Sequence, residues 1–329
     1  MTHFPVSNSN LSATHLGGFL KGKYRFTGDT KCELIRAGIN DSYLVADGSA
    51  KFVFRIYSLN WRTRTEILEE IKLLNLFKEN QISVSYPIPD EENNFIQTLN
   101  APEGDRFGVL FSFADGHKIH NVSAETHFQV GALMARIHEV TLDLTLDRIK
   151  YTPEIILVDS LPKLERFLHE DTEEMQFMRS TQKYLLGEFS KINHSEIRRG
   201  IVHLDIWFDN LNITSDNKVT IFDFDFCGNG WLCLDISYYI LQLHNIEKYD
   251  EKAYQPKIDS FLEGYESVTK IRAEEKALIP MLGLSLYFFY LGVQCQRYDN
   301  WSNSFLSENY LKRFINGLVK KYYEINQLG

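Results

Sequence analysis

The stretch that decides the fold of this chain is His203-Leu204-Asp205-Ile206-Trp207-Phe208-Asp209-Asn210, which is followed by Asp223 in a second apolar segment. Asp205 is a carboxylate that can orient an attacking hydroxyl and accept its proton, as phosphoryl transfer requires. Asn210 and Asp223 supply the hard oxygen atoms that Mg2+ prefers in proteins. The interval of five residues from Asp205 to Asn210 lets one tight loop aim both side chains at one place. The sequence therefore predicts a phosphoryl-transfer site here.

Short apolar runs on both sides of this stretch predict its secondary structure. The β-favouring runs are residues 200–202, 211–213 and 218–222. A turn cluster, Ser215-Asp216-Asn217, separates the last two runs, so the pattern predicts strand, loop, strand, turn and strand. Alternatively, Asp205 and Asp223 would be ordinary turn carboxylates and His203 a buried core histidine. The joint spacing of the polar residues favours the site over that alternative.

This pattern resembles the aminoglycoside phosphotransferase and choline kinase superfamily, which consists of small-molecule kinases with a protein-kinase-like fold. The branch it looks most like includes type II homoserine kinases and bacterial stress-response kinases. The resemblance extends from about Leu34 to Trp301. It implies a bilobal α+β fold. The smaller lobe, residues 1–112, would hold an antiparallel sheet with one helix and bind the nucleotide, and the larger lobe, residues 113–329, would be mainly helical and hold the catalytic residues.

The resemblance also implies a role for each polar residue of the motif. Asp205 would be the catalytic base, Asn210 and Asp223 would bind the metal ion, and His203 would support the loop from inside. Most relatives have Gly between the His and the Asp, whereas this chain has Leu204. Protein kinases also have a large side chain at that position.

The first lobe is indicated by three β-favouring runs and the hairpin turn Asp47-Gly48. These runs are Lys31 to Ala37, Asp41 to Ala46 and Lys51 to Tyr57. In the third run Phe52, Phe54 and Ile56 share one face, which leaves Val53 and Arg55 on the other. By the resemblance, Val53 would lie against adenine and Arg55 would bind the phosphates. An exposed strand arginine is the alternative.

A helix is predicted from about Arg62 to Glu79, because apolar residues recur along it at helical spacing. The resemblance implies that Glu70 in this helix pairs with Arg55. Glu66 and Glu69 lie on the same helix, and all three glutamates could instead form a solvated face.

Two further segments complete the predicted nucleotide site. The loop between the first two strands contains Gly38, Asn40 and Ser42, whose N–H and hydroxyl groups could meet phosphate oxygens; an ordinary hairpin turn is the alternative. The apolar run 109–113 would be the last strand of the lobe. Its end would form the hinge, with Phe111, Ser112 and Phe113 beside adenine, although these aromatic rings could also be core.

Composition limits the partners and the compartment. The net charge of −9 argues against nucleic acid and suits a cationic substrate, although solubility alone would explain it. The four cysteines show no C-x-x-C spacing and no signal peptide is evident, so we expect a cytoplasmic protein. Residues 277–295 are long and apolar, but Pro and Gly interrupt them, and we expect a buried helix and no membrane partner. We expect a monomer or homodimer.

We therefore expect an ATP- and Mg2+-dependent kinase acting on a hydroxyl of a small molecule, such as an amino alcohol, an aminoglycoside-like or a homoserine-like compound. A protein serine/threonine kinase and a nucleotide-binding pseudokinase are the alternatives. Trp207 would form one wall of the acceptor pocket and attract a cationic amine, or it would pack beneath the loop.

Four further residues or segments have structural interpretations. Asp225 would bind a second metal ion or hydrogen-bond the loop. Asp235 would cap a helix, His138 would form structural hydrogen bonds, and Gly228 to Trp231 would be a flexible turn.

Overall fold

The chain divides between Asp115 and Gly116 into two units, each with its own core. The computed structural model describes residues 4–297 and 304–329. The boundary predicted from the sequence, after residue 112, lies slightly earlier, at the end of the strand Gly104–Ser112.

The first unit is built on an antiparallel sheet. Its strands are β1 Lys31–Arg36, β2 Asn40–Asp47, β3 Ala50–Tyr57, β4 Pro87–Ile88, β5 Ile96–Ala101 and β6 Gly104–Ser112. The strand order is β1-β2-β3-β6-β4, and β5 also pairs with β6. The predicted hairpin joins β2 to β3, with Asp47 opposite Ala50 and Gly48 at a φ of 60°. Phe54 and Ile56 of β3 lie in the core, as the alternation predicts.

Two helices cover the described part of this unit, and the sequence predicts only one of them. Helix α2, Arg64–Glu79, begins with a capping box between Thr63 and Glu66, and its apolar stripe is buried. Helix α1, Ala13–Lys23, is an addition, and its Leu16 and Leu20 pack into the same core as β3.

The second unit is mainly helical, as predicted. Its helices are α3 Ala124–Thr141, α4 Leu161–Leu164, α5 Glu173–Phe189, α6 Cys233–Ile246, α7 Glu251–Glu266, α8 Ala273–Gln296, α9 Glu308–Phe314 and α10 Lys320–Ile325. Two short antiparallel pairs of strands complete it: β7 Arg199–Val202 with β10 Gly228–Trp231, and β8 Leu211–Ile213 with β9 Val219–Ile221.

These strand pairs carry the predicted motif. Strand β7 leads directly into His203, the β8–β9 pair separates Asn210 from Asp223, and β10 leads into α6. The predicted order of strand, loop, strand, turn and strand is therefore confirmed.

The prediction of a flexible turn from Gly228 to Trp231 is wrong, because these residues form β10 and pair with β7 in register. Glycine is needed here for close packing. A Cβ at Gly228 would lie 2.7 Å from side-chain and backbone atoms of Ile149, where real Cβ atoms do not fit.

Helix α8 contains the long apolar segment at 277–295. Among the described residues it is the one helix long and apolar enough to cross a membrane, and 78% of its most apolar window is buried inside the protein. The expectation of a buried helix is confirmed, and a core helix of a soluble protein has the same composition.

Candidate active site

The carboxylate of Asp205 is half-buried and is held at both oxygens. Asn210 donates from Nδ2 to Oδ2 of Asp205 at 2.7 Å and to the Asp205 carbonyl at 3.0 Å. The hydroxyl of Tyr238, in α6, donates to Oδ1 at 2.6 Å. Each carboxylate oxygen can accept more than one hydrogen bond, so Asp205 can still accept one from a hydroxyl.

Leu204 has a left-handed backbone, with a φ of 61°. This conformation costs an L-residue about 1–2 kcal/mol relative to the right-handed region, and glycine adopts it freely. The left-handed backbone therefore gives a steric reason for the Gly that the family resemblance implies at the position of Leu204. The cost is offset by a side chain that is fully buried and by hydrogen bonds on both sides of the residue.

Those hydrogen bonds come from α6 and α8. Asp235 accepts from the backbone N–H groups of Leu204 at 2.6 Å and His203 at 2.8 Å. The hydroxyl of Tyr290 donates to the carbonyl of Leu204. The peptide units on both sides of Leu204 are therefore fixed.

The prediction that Asp235 caps a helix is wrong. Leu232 is the N-cap of α6, and Asp235 lies inside its first turn with its carboxylate turned to residues 203–210, which we call the catalytic loop. His138 is fully buried and binds the Tyr265 hydroxyl through Nδ1 and Asp235 through Nε2. Its predicted role in structural hydrogen bonding is confirmed.

His203 links the catalytic loop to the segment that carries Asp223. Its Nδ1 accepts from the Asp205 N–H at 3.1 Å, and its Nε2 lies 3.2 Å from the Phe222 carbonyl. Burial lowers the pKa of His203, so the ring is neutral at pH 7. A neutral ring with its proton on Nε2 satisfies both contacts.

Asn210 and Asp223 have the chemistry of a Mg2+ site. Asn210 uses Nδ2 for its side-chain hydrogen bonds, which leaves Oδ1 for a metal ion. The Phe222 N–H donates to the Asn210 carbonyl at 3.1 Å, which ties the residue before Asp223 to the loop. Asp223 has a φ of 65°, so the chain turns sharply there. One amide and one carboxylate suit Mg2+, which takes few protein ligands beside phosphate oxygens.

Asp225 is buried in the short 3-10 helix that follows Asp223. Its backbone carbonyl accepts a hydrogen bond from Arg148. Whether its carboxylate binds metal stays a prediction. Among the described residues, no group of three or more His, Cys, Asp or Glu is arranged to hold a metal ion.

In the first unit, Arg55 of β3 and Glu70 of α2 form a buried ion pair. The Tyr57 hydroxyl accepts from Arg55 at 2.6 Å and donates to Glu70 at 3.0 Å. The ring of Phe111 lies 4.7 Å from the Arg55 guanidinium carbon. The sequence predicts the pair and its partner helix but misses Tyr57, although this tyrosine lies two positions along the same strand face.

The remaining predicted nucleotide contacts also lie on or beside this sheet. Val53 is half-buried and opposite Phe111 in the register, while Phe113 is half-buried with Lys51 over its ring at 5.5 Å. Gly38 lies in the bend between β1 and β2, and Ser42 is half-buried in β2. Asn40 uses its side-chain oxygen to accept from the Ser58 N–H at 3.2 Å, so this amide supports the loop.

Trp207 is half-buried at the N-terminal end of the short helix Phe208–Asn210. Its ring meets the Phe208 ring edge-on, with 4.5 Å between the centroids. Trp207 lines a small cavity together with His120, Phe208 and Gln242. Glu247, which pairs with Lys257, also lines it.

Comparisons with known proteins test the family resemblance. The sequence pattern of the phosphotransferase enzyme family, APH, matches residues 31–270. The homoserine kinase of Rhizobium meliloti is 26% identical over 222 residues, which cover 66% of this chain and 64% of that protein.

Two solved structures have the same fold. A microcompartment-associated aminopropanol kinase superimposes with a TM-score of 0.78 at 18% identity, covering 96% of this chain and 99% of that one. The amicoumacin kinase hAmiN, in complex with AMP-PNP, Ca2+ and Ami, has a TM-score of 0.76 at 18% identity, covering 96% and 97%.

The predicted fold class and family resemblance are therefore confirmed. The antiparallel sheet of the first unit, the helical second unit and the match over residues 31–270 lead to one assignment. This chain belongs to the phosphotransferase enzyme family, and it is a phosphotransferase with a protein-kinase-like fold.

Proposed function

We propose that this protein transfers the γ-phosphate of ATP to a hydroxyl of a small molecule. The proposal rests on the way in which Asp205 is held. Its carboxylate is half-buried, and Asn210 and Tyr238 each donate a hydrogen bond to one of its oxygens. A general base must be fixed within hydrogen-bond reach of the proton that it takes. In this role Asp205 accepts the proton of the acceptor hydroxyl while the hydroxyl oxygen attacks the γ-phosphorus of ATP, whose bond to the bridging oxygen breaks to release ADP.

Nucleotide binding is assigned to the first unit. Arg55, fixed by Glu70 and Tyr57, binds phosphate oxygens, and Gly38, Asn40 and Ser42 surround the phosphates with polar groups. Val53, Phe111 and Phe113 contact adenine. The hAmiN complex, which contains an ATP analogue and Ca2+, supports the use of a nucleotide with a divalent ion.

Mg2+ is assigned to Oδ1 of Asn210 and the carboxylate of Asp223. When bound, it neutralises phosphate charge during transfer. The protein then contributes mainly orientation, because the phosphoryl group needs no covalent bond to the enzyme.

We propose an acceptor that carries a cationic amine as well as a hydroxyl. Homoserine and aminopropanol, on which two of the similar proteins act by name, both carry these groups. The Trp207 ring lines a cavity, and the face of this ring attracts an ammonium group. The Glu247 carboxylate lines the same cavity and forms an ion pair there with Lys257. The net charge of −9 favours such a ligand over an anion.

The test is ADP release from Mg-ATP by the purified protein over a panel of acceptors. The panel holds amino alcohols, choline-like amines, aminoglycosides, uncharged sugars and a serine-containing peptide. We expect release with one class that carries an amine. Release with the peptide alone would indicate a protein kinase, and Mg-ATP binding without release would indicate a nucleotide-binding protein without catalysis.

Trp207→Leu then tests the acceptor site. We expect KM for the best acceptor to rise roughly fivefold, the size of one cation–π contact of about 1 kcal/mol, with KM for ATP unchanged. Trp61→Leu, in the first unit, is the matched control. An anionic or uncharged best acceptor, or an unchanged KM, would refute the role of Trp207.

A further inference from the structure

The hydroxyls of Tyr238 and Tyr290 approach the catalytic loop from two different helices. Tyr238 lies in α6 and Tyr290 in α8, and their ring centroids are 5.3 Å apart. Tyr238 donates to the Asp205 carboxylate, and Tyr290 donates to the carbonyl of Leu204. We propose that Tyr238 and Tyr290 are positioning residues for Asp205, a role that rests on the function proposed above.

Tyr238 fixes the plane of the Asp205 carboxylate. Asn210 holds Oδ2 from one side, and a donor to the other oxygen adds a second fixed point on the carboxylate. The Tyr238 hydroxyl holds Oδ1 at 2.6 Å, the length of a strong hydrogen bond to a charged acceptor. Only 4% of Tyr238 is exposed, so its side chain has little access to water.

Tyr290 fixes the peptide unit that carries Asp205. Leu204 is in the left-handed region, from which an L-residue gains free energy by relaxing. Asp235 holds the N–H on one side of Leu204, and Tyr290 holds the carbonyl on the other. Loss of the Tyr290 hydroxyl would let this peptide rotate and move the Asp205 backbone with it.

A purely structural role is the alternative, because buried tyrosine hydroxyls usually find a partner. The chain offers a matched control. Tyr287 in α8 donates to Oδ1 of Asn245 in α6, also at 2.6 Å. Tyr287 is buried to the same extent as Tyr238. Tyr287→Phe therefore removes a hydroxyl between the same two helices without touching the catalytic loop.

The experiment compares Tyr238→Phe, Tyr290→Phe and Tyr287→Phe. Turnover is measured with the acceptor found in the panel and also as ATP hydrolysis with water as the acceptor. For Tyr238→Phe we expect kcat to fall about 10- to 100-fold, as for one hydrogen bond to a charged group, with KM for Mg-ATP unchanged. Tyr290→Phe should lower kcat by roughly tenfold, and Tyr287→Phe should leave it within about twofold.

Crystal structures of the three variants test the positioning of Asp205 and Leu204 independently of enzyme activity. We expect the Asp205 side chain to occupy a new rotamer in Tyr238→Phe, the Leu204 peptide to rotate in Tyr290→Phe, and neither to change in Tyr287→Phe. Equal kcat in all three variants, or an unmoved Asp205 and Leu204, would overturn the proposal.

Asp205→Asn separates this proposal from the one on which it rests. If Asp205→Asn loses turnover while Tyr238→Phe and Tyr290→Phe keep it, Asp205 is the base and the tyrosines do not position it. If Asp205→Asn keeps turnover, Asp205 is not the base, and the tyrosines have no base to position. If the parent protein releases no ADP with any acceptor of the panel, the proposed function itself fails.

Discussion

The catalytic loop of the second unit and the ion pair of the first unit are held in different ways. The loop takes its hydrogen bonds from Asp235 and Tyr290, which are far away in sequence and bind its backbone. Arg55 takes its partners, Tyr57 and Glu70, from its own strand and the next helix. The loop is thus fixed by tertiary packing, whereas the ion pair is fixed almost locally.

This difference has a consequence for catalysis. A general base needs a fixed geometry in the transition state, so damage to its support should lower kcat. A phosphate-binding arginine acts in both the ground state and the transition state, so damage to its support should raise KM for the nucleotide. Substitutions that disturb the catalytic loop should therefore lower kcat, whereas substitutions that disturb the ion pair should raise KM for the nucleotide.

The largest expected effect is that of Asp205→Asn on kcat. Loss of a general base lowers the rate by about 10²- to 10⁴-fold, and the amide keeps the size of the side chain. Steady-state ADP release with the best acceptor measures it. Asp209→Asn, in the same loop but paired with Lys118, is the control. A mutant with near wild-type kcat would remove Asp205 from the mechanism.

Asp223→Ala should weaken nucleotide binding by about tenfold, or about 1.4 kcal/mol, when Mg2+ is present. The loss should disappear without Mg2+, because the carboxylate acts through the metal ion. Calorimetric titration with ATP, with and without Mg2+, measures this. Asp216→Ala removes an exposed turn carboxylate for comparison. Equal affinities for mutant and parent in Mg2+ would contradict the assignment.

Asp235→Asn breaks the support of the loop from α6. The amide places an NH2 group where an oxygen accepts a backbone N–H, so one buried donor loses its partner. We expect kcat to fall roughly tenfold and the free energy of unfolding to drop by about 1–3 kcal/mol. Denaturant unfolding and steady-state kinetics measure the two effects. A rise in KM for ATP with unchanged kcat would contradict the expected difference between the two regions, because a loop substitution would then act like one at the ion pair.

Glu70→Gln gives the matching test in the first unit. Arg55 keeps a hydrogen-bond acceptor but loses the opposite charge that fixes it. We expect KM for Mg-ATP to rise about threefold to tenfold, with a smaller change in kcat, because the arginine head group becomes mobile. Glu69→Gln, whose carboxylate pairs with Lys72, is the control. If kcat falls and KM holds, the local ion pair serves the chemistry directly.

The local part of the fold could be predicted from the sequence. Alternation in β3 identifies the face that carries Arg55, and helical spacing predicts α2. The family resemblance implies that Glu70 of this helix pairs with Arg55. The sequence does not predict helix α1, because Gly17, Gly18 and Gly22 lower its intrinsic helix propensity. The helix is stabilised instead by the packing of Leu16 and Leu20 in the core.

The support of the catalytic loop could not be predicted in the same way. Tyr238 and Tyr290 lie in apolar helical segments, where the sequence gives no sign of a role for their hydroxyls. Only the packing of α6 and α8 brings these hydroxyls to the loop. The same holds for Asp235, whose position at the start of α6 resembles that of a helix cap. The sequence does not predict strand β10, because a segment with two glycines is typical of a turn. In the structure these glycines permit close packing instead.

The most direct measurement is the affinity of Asp205→Asn for Mg-ATP, determined by calorimetric titration beside the parent protein. If Asp205 contacts the acceptor hydroxyl and other residues bind the nucleotide, as we propose, the dissociation constant should lie within about twofold of the parent, despite the loss of turnover. A dissociation constant raised as much as turnover is lowered would contradict the account, since Asp205 would then act in nucleotide binding.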